Sequence, residues 1–255
     1  MAQSVATRTG KYLYAVVYAP QAMSLGEELK GINGGQVGII RHGDLAAIVS
    51  DVPDEKLRPE RRNIAAHEAV LRAVMETTTP LPFAFGVVAG DEDAVERLLE
   101  GHAGDFTEQL QKVAGMVEFS LRVTLQVPNI FEFYLERHSD LKKMRDEVFG
   151  RGQPTTDEKI ALGQRFADVL EQARTHDREA VVAALGKACD DTRRLDEHSE
   201  AEVMNLACLV KRDRVEQFHK AVNDAGAQFD DTYTFNVSGP WAPHSFATKH
   251  LGEIE

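Results

Sequence analysis

Cysteine is scarce in this chain. Only Cys189 and Cys208 occur among 255 residues, and no C-x-x-C pair exists, which excludes a disulfide framework and a cysteine-based metal ribbon. Free thiols buried in a reducing compartment are expected instead. Long apolar runs are also missing: none reaches the roughly 18 residues of a membrane-spanning helix. Arg8 and Lys11 followed by the apolar Tyr12–Ala19 imitate a secretory leader. The three tyrosines of that stretch make a strand the better reading. Basic residues are outnumbered, with 29 Lys plus Arg against 41 Asp plus Glu and a net charge of -12. The deficit is spread out, with 12 basic and 17 acidic side chains in residues 1–126 and 17 and 24 in residues 127–255. A broad nucleic-acid footprint and adhesion to an anionic membrane face both need the opposite sign. The composition is that of a soluble globular protein, with 43% hydrophobic and 27% charged residues.

Motifs of catalysis and metal binding are equally sparse. His67-Glu68 opens like a zinc-peptidase helix, but the sequence continues His-Glu-Ala-Val-Leu and lacks the second histidine of H-E-x-x-H. A partly exposed helical pair is therefore the expectation there. The nine histidines never recur at i, i+4, and none stands at ligand spacing from a cysteine. Gly31-Ile-Asn-Gly-Gly35 has neither the G-x-G-x-x-G pattern nor a Lys-Ser or Lys-Thr ending, so it reads as a plain turn. No Gly-x-Ser-x-Gly nucleophile elbow is present. No catalytic residue, cofactor or metal site is expected.

What the sequence does contain is a clear alternation of element types. Lys11–Tyr18 (KYLYAVVY) reads as a buried strand. Ser24 with Glu27 suggests a capping box for a short helix, Leu25–Lys30. Gln36–Arg41 and Leu45–Ser50 flank His42-Gly43-Asp44 as a hairpin. A helix is predicted over Asn63–Thr77, stopped by Pro80, then a strand over Leu81–Val88 beginning with the donor-less Pro82. Short helices follow over Asp91–Glu100 and His102–Val113. Val117–Val127 has a strict period of two and is the strongest strand signal in the chain.

Two long helical tracts come next, Ile130–Phe149 and Thr156–Cys189, with a break expected near Thr175–Asp177. Thr155 and Glu158 form a capping box, and Ile160, Phe166, Val169, Leu170, Val181, Val182 and Leu185 are the expected inward set. These tracts should form an antiparallel pair across the turn at 150–154. Strands are predicted over Asp190–Glu197 and Val203–Val210, a helix capped by Asp213 and Glu216 through Val222, and a last strand over Ala227–Ser238. From Val117 onward the order strand, helices, strand, strand, helix, strand is that of a ferredoxin-like fold with an added helical hairpin. RNA-binding sheets of this kind display exposed aromatics with basic neighbours, which these strands lack.

Two segments stand out: Leu81-Pro-Phe-Ala-Phe-Gly86, and Gly239-Pro-Trp-Ala-Pro-His-Ser-Phe246 with the only tryptophan. Pro82, Phe83, Phe85, Trp241, Pro243 and Phe246 are the candidate protein-interaction residues, because proline-stiffened aromatics anchor recognition at low entropic cost. The competing reading folds Trp241 over the core.

These segments also carry a resemblance. Tyr12-Leu-Tyr-Ala-Val-Val17, Leu45-Ala-Ala-Ile-Val-Ser50, Asn63–Leu71 followed by Pro80–Gly86, and the closing Gly239–Phe246 occur in the order found in the gas vesicle GvpF/GvpL family, over about residues 11–247. Departures are Ala84 where the family usually has Arg, Val87 where it often has Thr, and Ala242 and His244 where Pro and Tyr are common. The resemblance implies an α+β protein of two domains: a small α+β domain at 1–115, and a modified ferredoxin-like domain at 116–255 carrying the helical hairpin 130–189. It implies a non-enzymatic, cytoplasmic accessory or minor structural protein of the gas vesicle. Such a protein would bind the major shell protein and other accessory proteins during nucleation and assembly, or be retained in the shell. The alternative is a small-molecule-binding or enzymatic α+β protein whose site carries no recognisable motif.

Overall fold

The computed structural model describes residues 9–24, 29–53 and 57–247. The expected helix Leu25–Lys30 and its Ser24/Glu27 cap fall largely on residues outside that set. The chain divides into two compact units, one formed from Met1–Glu118 with Gly239–Glu255 and the other from Phe119–Ser238. The closing segment expected in the second domain is therefore grouped with the first.

The first unit is built on a five-stranded sheet of order β2-β3-β1-β4, with β5 also on β1. These strands are β1 (Thr9–Tyr18), β2 (Val37–His42), β3 (Leu45–Pro53), β4 (Leu81–Pro82) and β5 (Val88–Ala89). The hairpin β2–β3 forms as predicted, turning on Gly43 at a φ of 56°, where a side chain would be strained. The predicted strand Leu81–Val88 is a correction. Only its two ends pair with β1, and the chain bows away between them through Gly86 at a φ of 96°.

Strand β1 is buried on both faces, so its sequence is a near-continuous apolar run. A register shift between Leu13 and Ala15 makes Tyr14 an extra residue against β3. This bulge explains how Leu13 and Val16, three positions apart, join one cluster with Leu81, Phe83, Phe106 and Leu110. Helices α2 (Glu92–Gly101) and α3 (Ala103–Val113) contribute to that cluster. Tyr12 and Tyr14 instead meet His67 of α1 (Arg61–Met75).

Tyr14 fixes a loop. Its hydroxyl accepts from the Ile32 amide at 2.8 Å and bonds Ser50 Oγ at 2.8 Å. A Cβ at Gly31 would stand 2.0 Å from that hydroxyl and 3.1 Å from Ser50 Oγ. Gly31→Ala should therefore displace the phenol and break both bonds, at a cost of about 2 kcal/mol in urea unfolding. The same change in a Tyr14→Phe background should cost clearly less, since the displaced hydroxyl is already gone.

The second unit carries a four-stranded sheet of order β7-β8-β6-β9. Its strands are β6 (Met116–Leu125), β7 (Asp191–Arg194), β8 (Glu202–Lys211) and β9 (Tyr233–Trp241). The alternation of β6 is as expected on one face, with Val117, Phe119, Leu121, Val123 and Leu125 buried. Strand β9 begins later than predicted and runs through Trp241, so the tryptophan ends a strand rather than sitting mid-loop.

Four helices belong to this unit: α4 (Ile130–Arg137), α5 (Ser139–Gly150), α6 (Thr156–Leu185) and α7 (Val215–Gly226). The first predicted tract is thus two helices, parted at His138, whose backbone is extended at φ −123° and ψ 96°. The second is one helix, unbroken at 175–177, opened by the Thr155/Glu158 capping box. The predicted Asp213 cap is replaced by a short 3-10 turn, Arg212–Arg214, with no side-chain cap bond.

Helices α5 and α6 pack together, joined by the Arg165–Asp140 ion pair. Helix α7 packs on α6 and β8, where Phe218 stacks on Phe119 at 5.0 Å between centroids. Ile160, expected inside, is 52% exposed. It lies two residues before Leu162, about 200° around the helix from the start of the buried stripe. Cys208 is a buried thiol and Cys189 a partly buried one. No described helix is long and apolar enough to cross a membrane.

Candidate functional site

The six residues singled out in the sequence separate by burial. Pro82, Phe83, Pro243 and Phe246 are buried, whereas Phe85 and Trp241 are half-exposed. Phe83 is 0% exposed and meets Phe106 edge-on at 6.5 Å. Surface for a partner is thus offered by Phe85 and Trp241 and not by the other four. Ile64 on α1 adds a large apolar side chain that is 42% exposed. Of the family departures, Ala84 is exposed, Val87 and Ala242 are buried, and His244 is half-buried.

The closing segment is fastened through a buried acid. Glu118, on the polar side of β6, is 5% exposed. It accepts from the Ser245 amide at 2.8 Å and from Ser245 Oγ at 2.7 Å. Sequence alternation placed Glu118 on a wet or partner-facing side; its carboxylate instead receives the segment that carries His244.

His67 also departs from expectation. It was expected as part of an exposed helical pair and is 2% exposed. Its ring stacks on Tyr14 at 5.6 Å, meets Tyr12 edge-on at 5.7 Å and Phe85 at 6.0 Å, and lies 6.3 Å from the ring of His244. Tyr12 Oη accepts from the Gly86 amide at 3.2 Å and bonds His67 Nδ1 at 2.9 Å. The central strand thereby holds both the bowed segment at Gly86 and the helix α1 through one hydroxyl.

The other ring nitrogen, Nε2, is buried without a hydrogen-bond partner, and so is His244 Nε2. His244 Nε2 lies 3.8 Å from Glu68 Oε1. Ligand atoms of His67, Glu68 and His244 all fall within 4.8 Å of one another.

Burial dominates the electrostatics of this cluster. Loss of water pushes the His67 imidazole down to about 4, with the nearby His244 adding to the effect. His244 is also pushed down by burial. The carboxyl of Glu68 is pushed up by burial, partly offset by Arg72. Both rings are therefore neutral at physiological pH, with nitrogen lone pairs available, and the phenols of Tyr12 and Tyr14 are held protonated by burial. No signal in the sequence could have joined His244 to His67, because the motifs that detect such sites depend on short spacing.

Comparison with known proteins bears on the whole chain. A family model described as "Gas vesicle synthesis protein GvpL/GvpF" matches residues 10–248. Gas vesicle protein F of a Streptomyces species is 31% identical over 237 residues, covering 92% of this chain and 98% of that protein. The crystal structure of gas vesicle protein GvpF from Microcystis aeruginosa superposes with a TM-score of 0.80 at 26% identity, covering 94% of this chain and 99% of that one. The GvpF structure from an Anabaena species gives the same TM-score, 0.80, at 26% identity, covering 94% and 98%.

Proposed function

Because the chain belongs to the gas vesicle GvpL/GvpF family, we propose that it is an assembly protein working without catalysis. In this reading it covers apolar surface of the gas vesicle shell protein during nucleation and growth, in the cytoplasm and at the nascent vesicle, together with other accessory proteins. The observation that carries the reading is the family match over residues 10–248. Within the same reading the second unit is a modified ferredoxin-like domain. Its strand–helices–strand–strand–helix–strand order and its sheet order β7-β8-β6-β9 support that.

Physical chemistry gives such a helper a task. A shell whose inner wall repels water must be built from subunits that expose apolar surface before they assemble, and that surface drives off-pathway association. A partner with a net charge of -12 keeps the complex soluble while its few apolar contacts cover the subunit. Phe85 and Trp241 are the anchors assigned to that contact. A pull-down with purified shell monomer tests the reading: retention well above that of an unrelated acidic protein is expected, and equal retention refutes it. Fractionation then separates two versions, since a shell component stays with washed vesicles and a transient factor stays in the supernatant.

The alternative of a ligand-binding protein is favoured by one observation, the convergence of His67, Glu68 and His244.

A further inference from the structure

We propose that His67, Glu68 and His244 form a binding site for one divalent transition-metal ion of the zinc class, which fastens the closing segment to helix α1. The proposal starts from an unsatisfied atom. The Tyr12 hydroxyl occupies Nδ1 of His67 at 2.9 Å, and Nε2 of the same 2% exposed ring has no partner. In either tautomer the problem is the same: Nε2 is left as an unmatched donor or an unmatched lone pair. A buried polar atom of this kind is costly and points to a missing ligand.

The neighbours of that atom are the right kind. His244 Nε2 is likewise without a hydrogen bond and stands 3.8 Å from Glu68 Oε1, and the three ligand atoms lie within 4.8 Å of one another. Two imidazoles and a carboxylate form a ligand set used for zinc with a fourth position left open. Bonds of about 2.0–2.2 Å would draw tetrahedral ligands to about 3.4 Å apart. The contraction needed is about an ångström, and the two side chains that must make it are the free ones: Glu68 and His244 are 33% and 34% exposed.

His67 stays still, held by Tyr12. With metal on Nε2, its Nδ1–H donates to Tyr12 Oη, which is the outer-shell partner that orients a ligating histidine. The neutral rings favoured by burial are the form that binds metal, and the ion's charge stabilises the ionised Glu68 carboxylate. Chemically, such an ion bridges α1 to the segment after Trp241. It thereby orders that segment beside the half-exposed Phe85 and Trp241.

The test uses the full-length, untagged protein after chelator treatment and dialysis, titrated with Co2+ and then Zn2+. One equivalent of Co2+ should produce the intense visible d–d absorption of a low-coordinate nitrogen–oxygen site, and Zn2+ should displace it, as their relative affinities require. The thermal midpoint should rise with one equivalent of zinc. His244→Ala should weaken binding by about 100-fold or more and abolish the midpoint rise. Glu68→Gln should weaken it by at least about tenfold. Near-ultraviolet circular dichroism of the metal-free variants confirms that they are folded. Absence of the Co2+ spectrum overturns the proposal. So does binding by folded His244→Ala equal to that of the parent protein, which would place the metal on other histidines.

Discussion

Phe83→Ala is expected to destabilise the first unit by about 4 kcal/mol, seen as a lower denaturant midpoint at unchanged slope. The size follows from position. Phe83 is 0% exposed, packs on Phe106, and sits in the cluster with Leu13, Val16 and Leu81. Its amide donates to Tyr14 O at 2.9 Å, so the backbone is fixed to β1 and cannot collapse into the vacated space. Truncation leaves a cavity as well as lost burial. Any loss of shell-protein binding in Phe83→Ala should follow its loss of folded protein and be restored at lower temperature. Phe85→Ala, at a half-exposed site, should reduce binding while costing much less stability.

A second large effect is acid destabilisation of the metal-free protein. His67 is held near 4 in the folded chain, against an ordinary value of 6.5. Above 6.5 the ring is neutral in both states and stability does not depend on it. As pH falls from 6.5 towards 4, the unfolded chain takes up the proton and the folded chain does not, so stability is lost across that window. The full difference amounts to about 3 kcal/mol. His244, also lowered by burial, acts in the same direction.

Glu68 opposes them. Its raised value means that the folded state takes up its proton first, which adds stability as pH falls towards the ordinary carboxylate value of 4.5. Tyr12 and Tyr14, which face His67 from β1, stay protonated throughout and contribute no slope. Chemical denaturation at a series of pH values should show the net loss. His67→Gln, which keeps an acceptor for Tyr12, should flatten most of it. An unchanged slope in that variant would contradict the assignment.

The elements that could be read from sequence were those whose pattern is local. The hairpin at Gly43, the alternation of β6 and the Thr155/Glu158 capping box were all correctly placed because turn chemistry, period and cap spacing lie within a few residues. What escaped was decided by tertiary contacts. Leu81–Val88 has strand composition throughout, yet only its ends join the ladder on β1, and Gly86 supplies the bow between. The long helical tract 130–149 gave no sign of its break at His138, because the stripes of α4 and α5 are each helical.

The candidate site was least legible of all. His67 lies in a stretch whose motif is incomplete, and Glu118 reads as an outward residue of an alternating strand. Their burial follows from the closing segment arriving beside them: Ser245 on Glu118, and His244 near His67 and Glu68. No window on the sequence contains that encounter. The aromatic segments were found for their composition, but composition alone could not tell Phe83, which is core, from Phe85, which is half-exposed.

Light scattering during dilution of purified, unfolded shell protein into native buffer tests the covering of apolar surface most directly. With a stoichiometric amount of this protein present, scattering should be strongly suppressed, and a folded Phe85→Ser, Trp241→Ser double variant should suppress it much less. Scattering equal to that in the presence of an unrelated acidic protein of similar size would contradict the account.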